Sequence, residues 1–217
     1  MPLTFDMPWE ELQAYKGSNP KPADFDEFWR RGLQQIDAIN QETELIPSSF
    51  QTSFADCLDM YFTGVDGARI HAKLIRPKNR SKPHPAILMF HGYTDSAGDW
   101  SDKTKLGFAA AGFTVAALDC RGQGGLSEDL GAAKGTTMRG QIIRGLADTP
   151  DKLLFRQIFL DTVLLARIVM SMDDVDGYFC AGDAPGLGGI SMAEYMGLDI
   201  KYTDCTETGG SSYVGHV

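Results

Sequence analysis

The chain has 217 residues, 43% of them hydrophobic and 23% charged, with 29 Asp and Glu against 20 Lys and Arg for a formal charge of −9. That length and apolar content suit a globular chain built on one large domain. An acidic chain with no Lys/Arg cluster cannot neutralise a phosphate backbone, which excludes nucleic acid and anionic membranes as expected partners.

Trp9 to Tyr15 reads as a short helical segment, separated by Pro20 and Pro22 from a longer one. Asp24 and Glu27 have the spacing of an N-cap with its reciprocal N3 partner. Phe25, Phe28, Trp29, Leu33, Ile36 and Ile39 then recur at helical spacing and form one apolar stripe. These segments predict an N-terminal helical arm. From residue 56 the period changes. Leu58, Tyr61 and Phe62 lead through Gly64-Val65-Asp66-Gly67 to Ile70, Ala72, Leu74 and Ile75, which predicts a β-hairpin. Ala86-Ile87-Leu88-Met89-Phe90 is a continuous apolar run, as a strand buried on both faces would be. Lys103 to Ala111 predicts a helix closed by Gly112, and Thr114 to Leu118 a second buried strand. After an irregular stretch, a long amphipathic helix is predicted from Pro150 to about Met170, and a strand at Tyr178 to Ala181. A hairpin followed by buried strands alternating with helices is the pattern of an α/β sheet with a parallel centre.

No apolar run reaches 18 residues, so no membrane span is expected. The first residues lack a basic start followed by an apolar segment, so no leader peptide is expected. Cys57, Cys120, Cys180 and Cys205 are far apart and form no C-x-x-C pair. That pattern predicts no metal site, no disulfide framework and a cytoplasmic location. Residues 177–217 differ from the rest: they hold nine of the 24 glycines, a single Lys and no Arg.

Seven stretches, in the order and at the spacing of a known family, carry a resemblance. They are Phe5-Asp6-Met7-Pro8, Asp24-Phe25-Asp26-Glu27-Phe28-Trp29, Phe90-His91-Gly92-Tyr93, Gly98-Asp99-Trp100, Arg121-Gly122-Gln123-Gly124, Arg144-Gly145-Leu146 and Arg156-Gln157-Ile158-Phe159-Leu160-Asp161. Through them residues 1–176 resemble the N-terminal part of the acetyl xylan esterase / cephalosporin C deacetylase family. The resemblance implies an α/β-hydrolase fold, here incomplete: the helical arm and the opening strands of the sheet. It implies hydrolysis of small acetyl esters on xylo-oligosaccharides and related compounds, without a cofactor, and a tendency to form homo-oligomers. The expected machinery is a Ser-His-Asp triad with an oxyanion hole. Tyr93 would give one backbone N–H to that hole, and the residue after the nucleophile the other. Arg121-Gly122-Gln123 is expected to hold the loops around the site together, and His91 to play a hydrogen-bonding role at a strand end.

The family's Gly-x-Ser-x-Gly elbow should come after Asp174-Val175-Asp176. The stretch here reads Gly182-Asp183-Ala184-Pro185-Gly186-Leu187-Gly188-Gly189. Matching the last two glycines puts Gly186 at the serine position, and counting from Gly182 puts Ala184 there. Neither carries a nucleophilic atom. No histidine other than His216 occurs after residue 91, and the His-Glu pair typical of the family is missing.

Residues 174–217 also resemble a stretch of thiolase-like, sterol-carrier-type acyltransferases, on Asp176-Gly177-Tyr178-Phe179-Cys180-Ala181-Gly182, Met192-Ala193-Glu194-Tyr195-Met196-Gly197-Leu198 and the segment from Thr203 to Ser212. Cys205 would stand at the position of the thiolase nucleophile. The organisation implied is an esterase-like part over 1–176 and a glycine-rich, thiolase-like tail over 177–217. The function expected is that of a truncated or chimeric acetyl esterase relative impaired in catalysis. Two alternatives come from other classes: a non-catalytic carbohydrate-binding or interaction module, and an acyltransferase using Cys205.

Overall fold

The computed structural model describes residues 7–130, 144–182, 190 and 192–197, together with the backbone of 202–206. Seven strands form one sheet: β1 (Thr43–Pro47), β2 (Ala55–Thr63), β3 (Arg69–Pro77), β4 (His84–Phe90), β5 (Thr114–Leu118), β6 (Val175–Gly182) and β7 (Tyr202–Thr206). Their spatial order is β1-β2-β3-β5-β4-β6-β7. The first three strands and β5 pair antiparallel, whereas β5, β4, β6 and β7 run parallel. The predicted hairpin is β2 and β3, in register from Ala55 opposite Pro77 to Thr63 opposite Arg69. Its turn places Asp66 in the left-handed region, at φ 59°.

The apolar run in β4 is continuous because both its faces are covered. Leu88 and Phe90 join the core beneath α2 (Phe25–Asp37) and α4 (Leu154–Met170), while Ile87 lies in the smaller core on the opposite side, with Ala109 of α3 (Lys103–Ala110). The stripe on α2 seats Trp29, Leu33 and Ile36 in the larger core. Trp29 stacks on Phe159 of α4, with centroids 5.7 Å apart and planes 13° from parallel.

Several local expectations need correction. Asp24 precedes α2 but its side chain makes no capping bond, and Glu27 pairs with Arg30 and Arg31 instead. The backbone closes that start: Phe25 N–H donates to Pro22 O at 3.1 Å and Phe28 N–H to Asp24 O at 2.8 Å. The helix expected from Pro150 begins at Leu154, after a single 3₁₀ turn over Pro150–Lys152. β1, which carries no signal in the sequence, is exposed along its whole length. The short helix α1 (Trp9–Ala14) buries no residue, so of the arm's two helices α2 alone joins the core, packed on α4.

The boundary expected at 176/177 falls inside β6. That strand pairs with β4 from Val175 opposite His84 to Gly182 opposite Phe90, with one register irregularity at its start. Residues 177–182 therefore belong to the same sheet as everything before them. The expected strand at Tyr178–Ala181 is the middle of β6, one strand in from the edge made by β7.

Candidate active site

In an open α/β sheet the crevice for ligands lies beyond the carboxyl ends of the parallel strands. Here β4 runs into His91-Gly92-Tyr93-Thr94. His91 Nε2 accepts the Cys120 N–H at 2.9 Å, so its Nδ1 carries the proton and donates to Gly92 O at 2.8 Å. The ring thereby ties the exit of β4 to the exit of β5 and acts as a brace. Tyr93 comes next, with its side chain half exposed. Among the described residues no acceptor lies on its backbone N–H. Thr94 is held at φ 66°, an uncommon conformation for a non-glycine residue.

The segment after β5 holds this loop in place. Gln123 Oε1 accepts the Thr94 N–H at 2.7 Å, and Gly124 N–H donates to Asp95 O at 2.9 Å. A Cβ on Gly124 would stand 2.9 Å from both Thr94 O and Asp95 O, so only glycine permits the two loops to lie this close. Gly122 is left-handed, at φ 71°.

Arg121 faces the other way. Its guanidinium is fully buried, with Nε 2.6 Å from Asp161 Oδ2 and Nη2 2.8 Å from Asp161 Oδ1, and Nη2 also donates to Val65 O at 3.0 Å. It joins β5, α4 and the hairpin turn, and it has no free face to offer a ligand. Burial pushes the Asp161 carboxyl up, against the pull of the guanidinium.

Two groups at this edge carry no motif in the sequence. Asp119, at the end of β5, is buried and accepts three hydrogen bonds, from Ala97 N–H at 2.6 Å, Leu126 N–H at 2.8 Å and the His71 ring at 2.6 Å. Burial alone would raise its carboxyl, but those donors outweigh it and hold it below the usual carboxylate range. Lys105 on α3 is only 2% exposed; its Nζ donates to Ala97 O at 2.6 Å and reaches Asp102 Oδ2 at 3.3 Å. It borders a cleft of about 200 Å³ between the ends of β4 and β5. A polar residue directly after an apolar strand is the one sequence signal that could have flagged Asp119. Lys105 gives none, since a lysine in a helix ordinarily reads as a solvated face.

Gly186 and Ala184, the two positions matched to the nucleophile, lie outside the described residues. The approach to them is described. Gly182, the last residue of β6, has φ 126°, and a Cβ there would run into Phe90 O. Cys205 lies in β7, where its backbone pairs with Cys180 of β6. The Cys120 thiol is pushed up to about 12 by burial. Among the described residues no helix is long and apolar enough to cross a membrane.

A family model described as acetyl xylan esterase (AXE1) matches residues 1–198. The match runs past the expected boundary and takes in 177–198, and the comparisons lend the thiolase-like resemblance no support. Acetyl xylan esterase 1 from Thermoanaerobacterium sp. JW/SL YS485 superposes with a TM-score of 0.81 at 52% identity, over 88% of this chain and 60% of that one. The acetyl xylan esterase from Paenibacillus sp. R4 gives 0.75 at 26% identity, over 92% and 63%. The chain thus spans about three-fifths of the length of these structures. Dipeptidyl-peptidase 5 of Schizosaccharomyces pombe is 31% identical over 100 residues, which are 43% of this chain and 14% of that protein.

Proposed function

The chain belongs to the acetyl xylan esterase family, and from that premise we propose that its site is directed at small acetyl esters, those of acetylated xylo-oligosaccharides and of related compounds such as cephalosporin C. The observation that carries this reading is the locked loop at the end of β4. Its Tyr93 N–H has no acceptor among the described residues, while the loop around it is fixed by Gln123, Gly124 and Asp119. A donor held still before the reaction stabilises a developing oxyanion without reorganising, which is where acyl transfer gains most.

The second donor belongs to the residue after the nucleophile position. With Gly186 at that position the donor is the Leu187 N–H. With Ala184 there it would be Pro185, which has none. The Gly186 register is therefore the better one. In neither register does a side-chain oxygen attack the acetyl carbonyl, so no acetyl-enzyme forms at that position. The reading is of a protein that accommodates an acetyl ester and does not turn it over, with acetylated carbohydrate as its partner and homo-oligomers as its assembly.

The test pairs a fluorogenic acetate with a serine-directed fluorophosphonate probe on the full chain. Hydrolysis at the buffer rate and no labelled serine are expected. Turnover above buffer with a labelled serine would overturn the impaired reading. Absence of binding to acetylated xylo-oligosaccharides by calorimetry would overturn the ester reading itself.

A further inference from the structure

We infer that Gln123 binds ligand in this crevice: its Oε1 holds the loop that carries Tyr93, and its Nε2 donates to an uncharged acceptor oxygen of a bound acetyl ester. That role rests on the ester reading above and names a side chain that touches the ligand. Gly92 to Asp95 form a turn, closed by Asp95 N–H on Gly92 O at 3.2 Å, with Thr94 in third place at φ 66° and Tyr93 outside the left-handed region. This is the backbone of a type II turn, whose third place ordinarily belongs to glycine. A type I turn would suit threonine better, but its central peptide is reversed. The N–H of that central peptide is that of Thr94, and Gln123 Oε1 accepts it at 2.7 Å. Gln123 thus selects the form of the turn as well as bracing it.

The same contact decides which way the side-chain amide faces. A backbone N–H can only donate, so the atom on Thr94 is the amide oxygen, and the nitrogen is the end left over. The two N–H of Nε2 meet no acceptor among the described residues, and the nitrogen is open to solvent. An acceptor alone would hold the turn, and a glutamate would supply one. The amide adds two donors and no charge, beside the residue that follows Tyr93.

This donor is fixed at both ends. At its root Arg121 is clamped to Asp161, and the Gly124 N–H donates to Asp95 O. At its tip the Thr94 N–H holds the amide plane. A donor ordered before binding loses little freedom when a ligand arrives. Asp95, exposed and next to Thr94, and the net charge of −9 disfavour a carboxylate ligand. A neutral acceptor remains: a carbonyl, ester or ring oxygen of an acetylated sugar. Such a contact needs no nucleophile at residue 184 or 186, so it serves a chain that binds an ester without cleaving it.

The full chain is titrated with an acetylated xylobiose while NMR follows the Tyr93 amide and the Gln123 side-chain amide. Both signals should move together, with one dissociation constant. Gln123→Glu keeps an acceptor for the Thr94 N–H and removes the donors. Amide exchange at Thr94 should then stay within about twofold of native, while affinity falls about tenfold. Gln123→Met combined with Thr94→Gly removes the donors without adding a charge, and glycine keeps the turn; the same loss of affinity is expected. A Gln123 signal that stays still while the Tyr93 shift saturates, or native affinity in Gln123→Glu, overturns the role of Gln123 and leaves the ester reading standing. No shift at any residue counts against the ester reading itself. The native titration alone decides if neither variant folds.

Discussion

Thr94 sits in a backbone conformation that costs energy for a side chain with a branched Cβ, and it is held there by Gln123 on its own N–H and by the Gly124 N–H on the next carbonyl, that of Asp95. The weak point of that lock is Gly124. In Gly124→Ala the new methyl meets two backbone oxygens, and one loop must back away from the other. We expect a loss of about 1–3 kcal/mol in chemical denaturation, with faster exchange at Thr94 than at residues of β2. At this scale the sequence is informative wherever a motif fixes backbone. Arg121-Gly122-Gln123-Gly124 and His91-Gly92-Tyr93 read as loops around a site, and they do lie against each other. His71 stays hidden because the partner of its ring lies 48 residues away on another strand, whereas Asp119 shows only as a polar residue after an apolar run and Lys105 only as an ordinary helix lysine.

Among the elements, α2 shows how an amphipathic stripe becomes a fixed helix. Its apolar side is held by Trp29 stacked on Phe159, with Phe25 and Phe28 edge-on to the same indole. Trp29→Ala should cost about 3–5 kcal/mol in thermal or chemical unfolding, because a large buried ring leaves a cavity. The nearby ion pair of Asp37 with Arg167 is largely exposed, so Asp37→Asn should change stability by less than about 1 kcal/mol. The elements legible in the sequence are those with strong periodicity: the hairpin, β4, β5, α2 and α4. β1 is not, because a five-residue edge strand with every side chain exposed has no alternation to read. The capping box fails for a different reason. Spacing can propose Asp24 and Glu27 as partners, but Arg30 and Arg31 lie one turn on and compete for the glutamate.

For the molecule as a whole, the response to acid is governed in part by Asp119. Its carboxyl is held below the ordinary range in the folded chain, so it binds fewer protons folded than unfolded at mildly acid pH. Its contribution is fully present above the usual carboxylate range and is lost as pH falls through its own depressed value. Asp161, pushed up by burial, works in the opposite direction. Denaturation midpoints measured downward from neutral pH should fall, and in Asp119→Asn part of that slope should disappear. Whole-chain organisation is only partly legible in the sequence. The α/β class with a parallel centre can be read from the order of periodic segments. The division at 176/177 rests on two resemblances and a glycine-rich composition, neither of which registers that β6 runs across that position while bonded to β4.

That pairing carries a consequence for the chain while it is being made. β4 finds β5 within about 30 residues, but its other neighbour, β6, ends 92 positions after Phe90. At roughly 5–20 residues per second, the ribosome leaves the far edge of β4 without its partner for about 5–20 seconds. The edge left waiting is the most apolar strand of the sheet, Ala86 to Phe90. The far edge of β4 therefore stays bare during synthesis, open to pairing with another chain, until Gly182 has been added.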